Sequence, residues 1–158
     1  MVKICAIGAG RAGLVHIRNF SENVPRAALV AIVDANGEAA AQAARDYGVD
    51  RVYTDYRRAL ADGGFDGVVI TTPTFTHAEI VIAAAQAGVN ILCEKPMAIT
   101  LEESDAMIAA VRDHKVLFQM AFMRRFDSAF RNAKQRILDG EIGRVMLVKS
   151  TGRGPGLP

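Results

Sequence analysis

The architecture of this chain can be inferred from residues 2–13, which read VKICAIGAGRAG. The first six of these residues are apolar or β-branched apart from Lys3, which predicts a strand covered on both faces. Gly8, Gly10 and Gly13 follow with G-x-G-x-x-G spacing, between that strand and a predicted helix. Such a turn lets the backbone approach a pyrophosphate and directs the free N–H groups of the helix toward it. A dinucleotide site is therefore favoured over a purely structural turn.

Beyond this turn, short apolar runs alternate with alanine-rich helical stretches along most of the chain. This alternation is typical of βαβ units and predicts a parallel sheet. Strands are expected at residues 2–7, 29–33, 51–53, 67–70, 89–93 and 116–119. The fold class is therefore predicted as α/β, with a Rossmann-type, doubly wound parallel sheet.

Capping residues predict where several helices begin. Asn36 is expected to cap a helix that ends at Gly48, and residues 76–79 and 100–103 both have the spacing of a capping box. The side chains expected to face the core are Ala40, Ala43, Ala44 and Tyr47, then Ile80, Ala84 and Ala87, then Leu101, Ser104, Ile108 and Val111.

The composition is that of a globular chain without an evident charged partner. The 158 residues carry a formal charge of +2, which gives no electrostatic reason to expect nucleic acid or an anionic membrane as partner. No apolar run reaches the roughly 20 residues of a membrane span. Cys5 and Cys93 both lie in apolar, strand-like runs and are interpreted as buried thiols of a reducing compartment. A cytoplasmic location is therefore expected.

Asp34 stands at the end of the second predicted strand, where a carboxylate accepts hydrogen bonds from an adenosine ribose. Because Ala35 rather than a cation follows it, and a carboxylate repels a 2′-phosphate, the predicted cofactor is NAD. Arg11 either neutralises phosphate or is a solvated residue at the helix start, and Ala12 completes the predicted cofactor-binding turn.

Two polar loops follow predicted strands at the sheet edge where open α/β sheets bind ligands. The first, residues 71–73, reads Thr-Thr-Pro and is explained by turn chemistry if residue type alone is considered. The second, residues 94–96, reads Glu-Lys-Pro. A lysine held beside a cofactor can exchange a proton with a substrate hydroxyl, but a salt bridge at a strand end is the simpler explanation for Lys95.

The pattern changes after residue 119. A helix capped by Asp127 is expected to end near Gly140, with a stripe of core-facing side chains at Phe126, Phe130, Ala133 and Ile137. Residues 144–150 then predict another strand, either paired with the domain edge or a second copy, or belonging to a further domain. Met123 and Arg124 are either part of a solvated basic turn or line a substrate pocket.

Taken in order, these residues resemble the glucose–fructose oxidoreductase / inositol dehydrogenase / rhizopine-catabolism (Gfo/Idh/MocA) family. The resemblance covers the whole chain. It rests on residues 8–13, Asp34, residues 72–73 with residues 76–79, the Glu-Lys-Pro run and residues 119–127, QMAFMRRFD. Glu-Lys-Pro behind a dinucleotide fingerprint is highly specific, and FMRRFD is most similar to the myo-inositol 2-dehydrogenase branch.

The resemblance implies oxidation of a ring hydroxyl of a cyclic polyol, such as myo-inositol, with hydride transfer to NAD. Lys95 would contact the reacting hydroxyl, and Met123 and Arg124 would position the small-molecule substrate. No metal is expected, because no pair of His, Cys or carboxylate residues in the sequence has metal-ligand spacing. The cofactor-binding residues would be Gly8, Gly10, Arg11, Ala12, Gly13, Asp34, Thr71, Thr72, Pro73, His77, Glu94 and Lys95. A non-catalytic dinucleotide-binding module and a family enzyme acting on another sugar are the alternatives.

The resemblance also implies a division of the chain. Residues 1–121 would form the NAD-binding domain. Residues 122–158 would contain a bridging helix and the first strand of a truncated second α+β domain. Family members carry their base, a His with an Asp partner, in that second domain. The chain alone is therefore expected to bind NAD without being catalytically competent. A homo-oligomer is expected for the full-length parent.

Overall fold

The computed structural model describes residues 1–152. It contains six strands in one sheet. They are β1 Val2–Ile7, β2 Ala27–Val33, β3 Arg51–Tyr53, β4 Gly67–Ile70, β5 Asn90–Cys93 and β6 Phe118–Met120. Neighbouring strands are parallel throughout, in the order β3-β2-β1-β4-β5-β6. The predicted α/β class and the doubly wound Rossmann sheet are confirmed, and β1, β3 and β4 have the predicted bounds.

Six α-helices connect or follow these strands. They are α1 Arg11–Arg18, α2 Gly37–Tyr47, α3 Tyr56–Asp62, α4 His77–Gln86, α5 Leu101–His114 and α6 Ser128–Leu138. A π-helical turn spans Asn19–Asn23, and 3₁₀ turns span Thr74–Thr76 and Met123–Arg125. None of the helices in the described part of the chain is long and apolar enough to cross a membrane.

Each face of the sheet buries its own apolar cluster. Alternate residues of a strand point to opposite faces, so Cys5 and Ile7 belong to one cluster and Ile4 and Ala6 to the other. The first cluster also contains Cys93, and both cysteines are fully buried, as predicted. Burial raises the pKa of both thiols to about 12.

The start of α2 follows the sequence prediction. The Asn36 side chain accepts hydrogen bonds from the backbone N–H groups of Glu38 and Ala39, and Gly48 ends the helix with a φ of +66°. The three predicted alanines of this helix are buried, and Tyr47 is half-buried. Local capping chemistry therefore explains both ends of α2.

The predicted capping box of α4 is wrong. Thr76 makes no capping hydrogen bond, because its hydroxyl oxygen lies 2.7 Å from the hydroxyl of Thr72 and 2.8 Å from the carbonyl oxygen of Pro73. The predicted burial of Ala87 is also wrong, since α4 ends at Gln86 and Ala87 lies exposed beyond it. Ile80 and Ala84 are buried as expected.

The capping box of α5 is present, but its predicted buried stripe is only partly correct. Thr100 and Glu103 cap each other's backbone N–H groups. Met107 is the fully buried residue of the helix, whereas Leu101 is 79% and Ile108 51% exposed. Leu101 and Ile108 lie about 100–120° around the helix from Met107, the residue that is buried in the core cluster. Their apolar character alone did not indicate that orientation.

The chain divides into two compact units, Met1–Ala121 and the residues from Phe122 onward. In the second unit, Asp127 caps α6 as predicted, accepting from the N–H groups of Ala129 and Phe130. The predicted core stripe of this helix is wrong, because Phe126, Phe130, Ala133 and Ile137 are all exposed.

The strand predicted at residues 144–150 is also wrong, since none is formed there. A strand needs a hydrogen-bonding neighbour, and the six paired strands of the described chain all lie in the first unit. The apolar side chains of Val145, Met146, Leu147 and Val148 are exposed. The end of the predicted second domain, residues 153–158, lies outside the described residues.

Candidate functional site

A groove of about 760 Å³ opens at the carboxyl edge of the sheet, next to the ends of β1 and β4. These two strands are neighbours from the two halves of the doubly wound sheet, so the groove lies at the topological switch point. Six of the predicted cofactor residues line it: Gly8, Gly10, Asp34, Thr71, Thr72 and Pro73. The groove is large enough for a cofactor-sized ligand.

The three glycines of the turn differ in how much space surrounds them. Gly8 has a φ of +107°, and a Cβ there would lie 2.7 Å from the hydroxyl oxygen of Thr71. A Cβ on Gly13 would run into the carbonyl group of Gly8. A Cβ on Gly10 would meet no atom within 4 Å, although Gly10 lines the groove. Gly8 and Gly13 therefore serve the packing of the turn, and Gly10 keeps space open for a ligand.

The N-terminus of α1 begins at this open glycine. Gly10 is the N-cap, and no side chain within the described residues caps this end of the helix. The N–H groups of the first turn, which includes Arg11 and Ala12, have no intrahelical acceptors and suit an anion. Arg11 and Ala12 are exposed, whereas Gly13 is buried.

The Asp34 carboxylate joins the glycine turn to the end of β2. Its Oδ2 accepts a 2.7 Å hydrogen bond from Ala9 N–H, and its Oδ1 accepts a 2.8 Å bond from Asn36 N–H. The carboxylate is half-buried and lines the groove. These bonds hold its orientation, and carboxylate oxygens retain lone pairs for the hydroxyls of a ribose.

Thr71, at the end of β4, forms hydrogen bonds with the backbone at the start of the glycine turn. Its hydroxyl oxygen lies 3.2 Å from the carbonyl oxygen of Ile7 and 3.0 Å from that of Gly8. Its backbone N–H donates to Ile7 as well, at 2.9 Å. The hydroxyl of Thr71 therefore stabilises the turn, while Thr72 and Pro73 present the groove wall that follows β4.

Hydrogen bonds hold the backbone of the Glu94-Lys95-Pro96 loop, whereas the side chain of Lys95 is exposed to solvent. Glu94 Oε1 lies 3.0 Å from His16 Nε2 on α1, and Oε2 accepts a 3.0 Å bond from Lys95 N–H. The Lys95–Pro96 peptide bond is cis. Lys95 is exposed, and the ion pairs found among residues 1–152 do not include it. The simpler explanation of Lys95 as a salt-bridge residue is therefore not supported.

His77 lies beneath the loops that follow β4 and β5. Its ring is 1% exposed, with Nδ1 2.9 Å from the carbonyl oxygen of Pro96 and Nε2 2.9 Å from that of Thr72. Both ring nitrogens thus face backbone of the protein rather than the groove. This placement favours a role in positioning the two loops over direct contact with a cofactor.

Met123 and Arg124, the predicted substrate residues, lie in the 3₁₀ turn of the second unit. Both are exposed, and the guanidinium of Arg124 lies 4.7 Å from the ring centre of Phe130. Within residues 1–152, no group of three His, Cys, Asp or Glu side chains is arranged to hold a metal ion.

Sequence reasoning missed one wall of the groove. Asp55, Tyr56 and Arg57 follow β3, and Phe75 and Glu79 follow β4; all five line the cavity. Burial raises the pKa of the Tyr56 phenol, and the nearby Glu79 carboxylate raises it further. The signal was present, because β3 also ends at the carboxyl edge, but its three residues carry no recognisable motif.

Comparison with known proteins supports the interpretation of the groove. The family described as "Oxidoreductase family, NAD-binding Rossmann fold" matches residues 2–122. Scyllo-inositol 2-dehydrogenase (NAD(+)) of Bacillus subtilis is 41% identical over 157 residues, covering 99% of this chain and 46% of the relative. Levoglucosan dehydrogenase of Pseudarthrobacter phenanthrenivorans is 45% identical over 120 residues, covering 76% of this chain and 31% of the relative.

Solved structures show the same likeness. The myo-inositol 2-dehydrogenase of Lactobacillus plantarum superposes with a TM-score of 0.89 at 33% identity, covering 92% of this chain and 43% of that chain. The chain thus spans less than half the length of the relatives that it matches.

Proposed function

The chain belongs to the Gfo/Idh/MocA family of oxidoreductases with an NAD-binding Rossmann fold, and from this premise we propose that the whole enzyme oxidises a ring hydroxyl of a cyclic polyol. The proposed substrate is an inositol, because inositol 2-dehydrogenases are among the chain's similar relatives. The proposed cofactor site is the groove between the glycine turn and Asp34.

The observation that carries this proposal is the way the Glu-Lys-Pro loop is held. Glu94 N–H donates to Ile70, Lys95 N–H donates to the Glu94 carboxylate, and the Pro96 carbonyl oxygen faces His77. Backbone contacts thus hold the residues on both sides of an exposed ammonium group. A catalytic group needs such a supported position, because small displacements from the reactive geometry slow a reaction strongly.

In the proposed reaction, the nicotinamide of NAD, when bound, would accept the hydride. Lys95 Nζ donates a hydrogen bond to the reacting hydroxyl oxygen and stabilises the negative charge that develops as its proton leaves. The Glu94 carboxylate is engaged by His16 and by backbone N–H, so it orients the loop rather than accepting that proton. We propose that the proton acceptor lies outside residues 1–152 and that this chain alone binds NAD without turnover.

The test is Lys95→Ala in the whole enzyme. We expect turnover to fall by about 10²- to 10⁴-fold, because a positioned proton-transfer group contributes on that order. NAD affinity should change little, since the groove's own contacts remain. Stopped assays of NADH formation and an NAD titration measure the two quantities.

Lys3→Ala is the matched control, because Lys3 is an exposed lysine on β1, a strand whose opposite end leads into the glycine turn. It should leave turnover unchanged. Unaltered turnover in Lys95→Ala would remove the catalytic role. A large loss of NAD affinity in that variant would instead make Lys95 a cofactor-binding residue.

The identity of the polyol is the finer part of the proposal. Relatives named for inositol and for levoglucosan are similarly close to this chain, at 41% and 45% identity, so the resemblance alone does not distinguish the two substrates. A panel of myo-inositol, scyllo-inositol, levoglucosan and aldoses should give the highest kcat/KM for an inositol. A higher value for another sugar would reassign the substrate.

The domain assignment is likewise proposed. Residues 1–121 would bind NAD, and residues 122–158 would begin the substrate domain, with Met123 and Arg124 contributing to the substrate site. The division of the structure at Ala121 and Phe122 supports this boundary. A homo-oligomer of the whole enzyme is proposed from the family resemblance.

A further inference from the structure

The charged groups of the cofactor groove are unbalanced. Three carboxylates line it, those of Asp34, Asp55 and Glu79, against one guanidinium, that of Arg57. Asp34 was the acid expected from the sequence, and the residue directly after it is Ala35 rather than a cation. The structure places a cation and two further acids in the same groove, all from the segments after β3 and β4.

Arg57 is held by both of the added acids. Its Nη2 lies 3.2 Å from Glu79 Oε2, and its Nη1 lies 3.8 Å from Asp55 Oδ1. Its guanidinium carbon lies 4.5 Å from the ring centre of Tyr56. Arg57 and Asp55 belong to the start of α3 and Glu79 to the first turn of α4, so the ion pair joins two helices at the groove.

The same three charged side chains of the groove also act on the phenol of Tyr56. The pKa of its phenol is raised by burial first and then by the Glu79 carboxylate. Arg57 lowers the pKa and Asp55 raises it again. Both acids and the cation therefore act on one buried ring of the groove wall, and the acids outnumber the cation there.

A 2′-phosphate on the adenosine ribose distinguishes NADP from NAD. Carboxylates beside the ribose repel that phosphate, whereas a nearby arginine that is free to turn toward it accommodates it. We propose that Glu79 is a second determinant of NAD preference, because it engages Arg57 and withholds that cation from the 2′-phosphate of NADP. The inference rests on the proposed function of the groove as the cofactor site, and it assigns the choice between NAD and NADP in part to the pair Arg57 and Glu79.

The test is Glu79→Gln in this 158-residue chain, with NAD and NADP titrated separately at low ionic strength. Glutamine keeps the size of the side chain but removes the charge that engages Arg57. We expect the Kd for NADP to fall about fivefold, the size of effect expected for one partly exposed charge pair. The Kd for NAD should change less than about twofold, which also reports that the variant is folded.

Asp113→Asn is the matched control. It removes one carboxylate from an exposed arginine pair, Arg112 and Asp113 at 3.1 Å, on α5 and outside the groove. It changes the net charge equally and should leave both affinities unchanged. The double variant Glu79→Gln/Arg57→Gln should lose the gain in NADP affinity, because the released cation is then absent.

An unchanged NADP affinity in Glu79→Gln overturns the inference, as does an equal gain in Asp113→Asn or a gain that persists in the double variant. These results differ from failure of the proposed function. A folded wild-type chain that binds neither dinucleotide would contradict the cofactor groove itself, and the inference would fall with it.

Discussion

At the scale of single residues, different glycines of the turn are needed for folding and for ligand binding. Gly13 is buried against the carbonyl of Gly8, whereas Gly10 has open space where its side chain would be. The motif names both positions, but spacing alone assigns them the same importance. The packing of the turn shows that one tolerates no side chain and the other does.

Gly13→Ala should therefore destabilise the chain. The added methyl group must push the Gly8 carbonyl or α1 aside, so we expect the free energy of unfolding to fall by about 1–3 kcal/mol. Urea denaturation followed by circular dichroism measures this change.

Gly10→Ala is the matched variant, and we expect it to weaken NAD binding rather than stability. Gly10 has a φ of −72°, which alanine adopts freely, so stability should change by less than about 0.5 kcal/mol. NAD affinity should fall at least about tenfold, because the methyl group occupies space that the pyrophosphate approaches. Equal stability losses in the two variants would contradict this division of roles.

At the scale of elements, helix ends follow local chemistry and helix faces do not. Asn36, Thr100 and Asp127 cap their helices as the sequence predicts, because a cap involves residues only two or three positions apart. The buried face of α5 depends instead on how the helix packs against α4 and the core cluster. Met107 occupies that face, and Leu101 does not.

Met107→Ala tests this orientation. The side chain is fully buried in the core cluster, so its truncation should lower the free energy of unfolding by about 2–5 kcal/mol. Leu101→Ala, on the same helix, should cost less than about 0.5 kcal/mol, because Leu101 is 79% exposed. A larger loss for Leu101→Ala than for Met107→Ala would show that α5 is rotated relative to this structure.

At the scale of the whole molecule, the sheet brings both cysteines into one buried cluster. Cys5 is on β1 and Cys93 on β5, the strands on either side of β4. Burial is the main reason that the pKa of each thiol is raised from 9.0 to about 12; Arg51 acts to lower that of Cys5, and Glu94 acts to raise that of Cys93. Both thiols of the folded chain therefore stay protonated until the pH approaches about 12.

The free energy of unfolding should consequently fall as the pH rises from about 9 toward 12. Below this range, the thiols are protonated in both the folded and the unfolded chain and add no pH dependence. Within it, the unfolded chain releases their protons and the folded chain keeps them, which favours unfolding. Urea denaturation at pH 7.5, 9, 10 and 11 measures the trend.

The variant Cys5→Ala/Cys93→Ala provides the comparison. Its stability should decline less steeply above pH 9, whatever its stability at pH 7.5. Part of the decline should remain, because the pKa of Tyr56 is also raised. Identical slopes for the variant and the wild type would show that the thiols are not responsible.

The amino-acid sequence alone was enough to predict the six paired strands, the glycine turn, the acid at the end of β2 and several helix caps. Each of these depends on residues close together in the chain or on a run of apolar side chains. The family resemblance added the Glu-Lys-Pro loop, whose residue types alone did not distinguish catalysis from a salt bridge. The parallel order of the sheet followed from the alternation of elements.

The contacts across the groove and beneath its loops could be seen only after the chain had folded. His77 faces the carbonyl oxygens of Thr72 and Pro96, which come from loops after different strands, and Glu79 reaches Arg57 across 22 positions of the chain. Such contacts depend on which strands are neighbours and on how far each helix is rotated. No local pattern encodes those distances, because they arise when the whole sheet is assembled.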